Sequence, residues 1–108
     1  LTEKKMSEYL IDLSDENFDE VISKGKVLVD FWAPWCGPCK QLTPILEAVG
    51  SEINGSAVIA KVNVDENSSL AARFNVRSIP TLLLFNDGEL KETLIGLKQK
   101  DELVSLLI

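Results

Sequence analysis

Histidine is absent from the 108 residues, and cysteine occurs only twice. The first absence removes the commonest general base and the commonest metal ligand together, which excludes Ser-His and Cys-His nucleophile pairs. Basic charge is short as well: 11 Lys and Arg against 17 Asp and Glu leave a net charge of −6, which argues against binding nucleic acid or an anionic membrane surface. No apolar run approaches the roughly 18 residues that span a bilayer, and the opening LTEKKMSEYL lacks the apolar stretch of a signal peptide. Leu1 to about Glu8 is expected to be an N-terminal extension, with either a start at Met6 and added residues before it, or a leader removed ahead of Leu1. What is present is 45% hydrophobic and 26% charged, the composition of a chain that folds, and the length suits one domain spanning 1–108.

Turn and cap signals divide the chain into alternating strand-like and helix-like segments, with no repeat and no linker. Tyr9–Leu13 reads as a first strand. Ser14 is placed to cap a helix with Asp15 and Glu16 in its first turn, Phe18, Val21 and Ile22 as its apolar stripe and Gly25 at its end. Val27–Trp32 is apolar on both faces except for Asp30, as in a central strand covered on both sides. A helix follows WAPWCGPCK, with Leu42, Ile45, Leu46 and Val49 on one face, Gly50 near its end and a kink expected at Pro44. Ala57–Val64 is the next strand. Asp65 and Asn67 offer caps for a short helix carrying Leu70, Ala71 and Phe74, closed by Asn75. Thr81–Phe85 and Glu89–Ile95 flank Asn86-Asp87-Gly88, a strong hairpin signal, and from Lys98 onward Leu103, Val104, Leu106 and Leu107 form the face of a last helix. The order βαβαβαββα predicts an α/β fold: a mixed sheet with helices on both faces, in three layers.

Both cysteines fall in Trp35-Cys36-Gly37-Pro38-Cys39. At i and i+3 on a first helical turn their side chains share a face within about 5 to 6 Å, a span that a disulfide bridges with little backbone movement. A purely structural bridge gains little by closing so short a loop. Structural zinc needs four ligands, and two thiols without histidine supply half of them, so no metal site is expected. Dithiol-disulfide exchange is the chemistry that remains. Cys36, at the helix start, has the positive dipole end to stabilise a thiolate and is the expected nucleophile, and Cys39, one turn inside, is the expected resolving thiol. Gly37 permits close approach of a partner, and Pro38 leaves no N–H unpaired in the first turn. Trp35 fits an exposed apolar rim or a plain packing role equally well.

Resolution requires a proton acceptor for Cys39. Asp30 shares a strand face with Leu28 and Trp32, and burial there would raise its pKa from about 3.9 toward neutrality. Lys61, an isolated charge in the next strand, is placed to pair with it. The competing view puts Asp30 at a solvent-facing strand end and Lys61 on a solvated face, and spacing leaves both open.

The series VDFWAPWCGPCK (Val29–Lys40), Pro44, KVNVDEN (Lys61–Asn67), VRSIPT (Val76–Thr81), Asp87-Gly88 and Gly96 resembles the thioredoxin family over essentially the whole chain from about Tyr9. The resemblance implies a thioredoxin fold and a protein-disulfide reductase with no bound cofactor, whose Cys36–Cys39 disulfide is recharged by an NADPH-dependent thioredoxin reductase. It implies that Cys36 attacks and Cys39 resolves, that Asp30 and Lys61 are a buried proton-handling pair, and that Pro80 is the family's cis-proline. From the residues alone Pro80 is only punctuation before a strand. Ile79 then offers backbone groups to a substrate strand, and Trp35, Ile79, Pro80 and Gly96 resemble the family's apolar docking surface. Ser78 departs from the glycine of many relatives and bears on partner choice.

Two other functions compete: a structural or binding subunit of the same fold that needs no thiols, and a thiol oxidase or isomerase of an exported compartment. The Gly-Pro pair between the cysteines disfavours the oxidase, since a histidine there would stabilise the Cys36 thiolate and make the disulfide more oxidising. Cysteine usage fits a reducing cytosol, so a cytoplasmic monomer acting on protein disulfides is expected.

Overall fold

The apolar run Val27–Trp32 is covered from both sides, which is why it shows no alternation of apolar and polar residues. In the computed structural model, which describes residues 9–108, this run is β2 (Lys26–Trp32). The other elements are β1 (Leu10–Leu13), α1 (Phe18–Ile22), α2 (Gly37–Ile53), β3 (Val58–Asn63), α3 (Ser68–Arg73), β4 (Thr81–Asn86), β5 (Glu89–Ile95) and α4 (Lys100–Leu107). Their order is the expected one, and the expected N-terminal extension lies outside the described residues. The sheet runs β1-β3-β2-β4-β5, with β3 parallel to both β1 and β2, and β4 antiparallel to β2 and β5.

Side-chain alternation along the strands sorts the core into two layers. Leu28, Ile59, Leu82 and Leu84 face α2 and α4 through Leu42, Leu46, Val49, Leu103 and Leu107. Val27, Val29, Phe31, Ala60, Val62, Leu83 and Phe85 face α1 and α3 through Phe18, Ile22 and Leu70. The three-layer sandwich is thus built by one sheet with two apolar faces.

The ends of the elements carry the differences from expectation. Ser14 caps the turn Asp15–Asn17 that leads into α1: its Oγ accepts the Glu16 N–H at 3.3 Å, its carbonyl accepts the Phe18 N–H at 3.1 Å and Asn17 Oδ1 takes its N–H at 2.8 Å, while Asn67 Oδ1 takes the Asp15 N–H at 3.2 Å and the regular helix begins at Phe18. Asp19 and Glu20 then occupy the first turn in place of Asp15 and Glu16. The helix stops at Ile22, and Gly25, at φ +68°, serves instead to bring the chain into β2, where its N–H donates to Asp87 Oδ1 at 2.7 Å. Asn67 stands at the N-cap position of α3 without capping it, because its side chain is spent on Asn63 and Asp15. Asn75 does close that segment, in the left-handed region at φ +57°. Pro44 leaves the Lys40 carbonyl without an N–H partner one turn on, yet α2 continues through it to Ile53. Asp87 and Gly88 both have positive φ, the signature of the tight turn that suits the twist of an antiparallel hairpin.

Candidate active site

The N-terminus of α2 emerges where β2 ends, and the turn between them fixes Cys36 as the N-cap residue in extended conformation. Cys39 lies one turn inside, 5.2 Å away between Cα atoms, and the two form a disulfide, as the i, i+3 spacing predicts. Cys36 retains 5% exposure and Cys39 only 1%, so any partner meets Cys36 first. The Cys39 N–H, one of the unpaired donors of a helix start, points at Cys36 Sγ at 3.2 Å. A thiolate at Cys36 would be stabilised by that donor and by the dipole behind it.

A second segment meets Cys36 directly. The loop before β4 carries the cis Ile79–Pro80 bond, and the Ile79 carbonyl oxygen lies 3.8 Å from Cys36 Sγ. Gly96, at the end of β5, donates its N–H to the Pro80 carbonyl at 2.8 Å, which ties β5 to that loop. Pro80 is buried and Ile79 half-buried, while Gly37 and Pro38 lie open to solvent. Trp35 is 69% exposed, which excludes the packing role, and its indole N–H donates to Asp65 at 3.0 Å. Ile95, 62% exposed, and Leu97 present apolar surface on either side of Gly96. Neither is legible as a site residue in the sequence, where Ile95 ends an ordinary strand pattern and Leu97 follows Gly96.

Asp30 is fully buried, on the sheet face covered by α2, so the solvent-facing alternative fails. Neither of its oxygens has a hydrogen-bond partner, and burial pushes its pKa up to about 7, against a partial offset from the charge of Lys61. Lys61 sits opposite Asp30 in the parallel register of β2 and β3 and is half-buried. The direct pair expected between them is not formed. The Lys61 ammonium donates instead to Thr43 Oγ1 at 2.9 Å and lies 4.4 Å over the ring of Trp32. Sequence reasoning misses Thr43. The only signal for it is its place four residues after Cys39, on the same helical face.

Beside this group a cleft of about 550 Å³ opens between β1, β3 and the loop after β3, with Asp12, Trp32, Lys61, Asn63 and Glu66 on its walls. Among the described residues, no group of three or more His, Cys, Asp or Glu is placed to hold a metal ion, and no helix is long and apolar enough to cross a membrane.

A disulfide at a helix start, a cis-proline loop beside it and a buried carboxyl on the sheet face which that helix covers have counterparts among known proteins. The family model described as Thioredoxin matches residues 9–108. The chain is 49% identical over 98 residues to a thioredoxin of Staphylococcus haemolyticus, covering 91% of this chain and 94% of that one. It is 46% identical, with the same coverage, to a thioredoxin of Bacillus subtilis. Among solved structures it resembles a single-residue mutant of a thioredoxin from Halobacterium salinarum with a TM-score of 0.85 and 40% identity, covering 94% of this chain and 89% of the other. The chain belongs to the thioredoxin family of thiol-disulfide oxidoreductases, with Cys36–Cys39 as its redox-active disulfide.

Proposed function

We propose that the protein is a cytoplasmic reductant of protein disulfides in which Cys36 attacks and Cys39 resolves. In the dithiol form the Cys36 thiolate attacks one sulfur of the substrate disulfide, forms a mixed disulfide and releases the other substrate sulfur as a thiolate. Cys39 then gives its proton to Asp30, directly or through a water, and its thiolate attacks Cys36 Sγ. The Cys36–Cys39 disulfide forms, the second substrate thiolate leaves, and two electrons have passed to the substrate. Lys61 modulates Asp30 through its charge. The substrate strand lies along the Ile79 backbone beside Pro80, with Gly37 and Pro38 allowing close approach and Trp35 and Gly96 completing the apolar surface. An NADPH-dependent thioredoxin reductase restores the dithiol, and the protein acts as a monomer. The observation that carries this reading is the graded exposure of the two cysteines, 5% against 1%, with a helix N–H aimed at the sulfur of the outer one.

The test is an equilibrium redox titration against glutathione and dithiothreitol buffers, followed by the fluorescence of Trp32 and Trp35. A midpoint well below the glutathione pool is expected, whereas one near the oxidising exchangers would assign an oxidase or isomerase instead. Cys39→Ser should accumulate mixed disulfides with substrate, visible by mass spectrometry, and Cys36→Ser should form none. Adducts through Cys39 in the second variant would reverse the assignment of roles. A double serine variant that keeps full function in the cell would point to a binding subunit.

A further inference from the structure

In the row Asp12, Lys61, Asp30 across β1, β3 and β2, one ammonium stands between two carboxylates on a single face of the sheet. The two sides are unequal. Asp30 is sealed, while Asp12 is exposed on the wall of the cleft, whose rim also bears Asp15, Glu16 and Glu66. Hydration and four carboxylates therefore draw the Lys61 side chain outward, away from Asp30. Two groups on the inner side oppose that pull: the Trp32 ring beneath the ammonium and the Thr43 hydroxyl at 2.9 Å. The hydroxyl is itself oriented. Thr43 Oγ1 donates to the Cys39 carbonyl at 3.3 Å, one helical turn back, so its lone pairs are left to accept from Lys61.

We propose that Thr43 is a positioning residue for the dithiol chemistry: its hydroxyl, anchored on the Cys39 carbonyl, holds the Lys61 ammonium on the Asp30 side of the cleft. Asp30 being the proton acceptor for Cys39, on which this proposal rests, the position of that one charge sets the pH at which the acceptor is empty. Beside Asp30, β3 presents the charge of Lys61 and β4 only Leu82 and Leu84, and α2, which covers this face, carries Cys39 in its first turn. Lys26 lies on the same face of β2 but at the far end of the strand, where its ammonium donates to the Ile108 carbonyl at 3.3 Å, so it does not substitute for Lys61. Without the hydroxyl the ammonium swings toward Asp12 and water, the Asp30 carboxylate loses its nearest countercharge, and its proton is held more tightly.

The experiment is a titration of the Asp30 carboxyl carbon by NMR in the oxidised protein, where neither cysteine titrates, paired with the pH dependence of reduction of glutathione disulfide by the dithiol form. Thr43→Val, equal in volume but without the hydroxyl, should move the Asp30 midpoint upward by roughly half a unit or more, the scale of shifting one charge a few ångströms at an effective dielectric near 20. The alkaline displacement of the rate profile should match it. Thr43→Ser, which keeps the hydroxyl, should leave both in place, and in a Lys61→Met background Thr43→Val should add nothing. A midpoint that stays put or falls in Thr43→Val, or one that moves equally in Thr43→Ser, overturns the proposal. The acceptor reading fails separately: an Asp30→Asn protein with the parental rate profile would remove it while the midpoint in Thr43→Val still reports on Lys61.

Discussion

The indole nitrogen of Trp35 donates to the carboxylate of Asp65 at 3.0 Å, across 30 residues of sequence, while 69% of the tryptophan remains exposed. The loop after β3 thus fixes the angle of a large apolar surface that the core does not hold. A hydrogen bond this open to water adds little to folding, so Asp65→Ala should shift stability by less than about 0.5 kcal/mol. Its effect should appear in the ring. Steady-state tryptophan anisotropy should fall, and KM for a protein disulfide should rise several-fold with kcat nearly unchanged. Unchanged anisotropy would mean that the ring is held by packing on the turn alone.

Asp30 makes stability depend on pH with a definite sign. Its carboxyl has an ordinary value of 3.8 when exposed and about 7 in the fold, because burial penalises the anion. The folded state therefore binds the proton more tightly. Its contribution is fully present below about pH 4, is lost as pH rises through about 7, and does not change further above that. Roughly three pH units at 1.36 kcal/mol each give a swing on the order of 4 kcal/mol. Replacing Asp30 by Leu should raise the urea midpoint of the oxidised protein strongly at pH 8 and by much less at pH 4.5. A gain equal at both values would show that the carboxyl titrates as an ordinary surface group.

What can be read in the sequence divides along the range of the interactions. The apolar core of β2, the Asp87-Gly88 hairpin and the helix start at Cys36 are set by neighbours within a few residues, and all are legible. Asp30 announces itself as a charge in an apolar run, but only the fold decides that this run is sealed on both sides. The cap at Ser14 is legible locally, but the acceptor of the Asp15 N–H beside it is Asn67 Oδ1, 52 residues away, which no local signal marks. Thr43 and Asp65 escape sequence reasoning for the same reason: their partners Lys61 and Trp35 lie 18 and 30 residues distant, and nothing local marks an exposed aspartate or a helical threonine as special.

Gly50 poses two opposed effects whose balance is measurable. It is buried inside α2, where alanine would ordinarily gain about 1 kcal/mol from helix propensity. A Cβ there, however, would run into Tyr9 Cβ and lie 2.9 Å from its Cγ, closer than carbon atoms approach. Tyr9 directly precedes Leu10, which is buried against α2 and pairs with Ile59, so the ring cannot yield without disturbing the start of β1. Overpacking of this kind costs about 1 to 3 kcal/mol, more than the propensity gain at the upper end. Gly50→Ala should therefore lower stability by about 1 kcal/mol, and Gly50→Val by more, whereas Ser51→Ala on the exposed side of the same helix should raise it slightly. Urea denaturation of the three variants compares them directly. A higher midpoint for Gly50→Ala would mean that β1 gives way at little cost and that the close approach of Tyr9 to α2 does not constrain the fold.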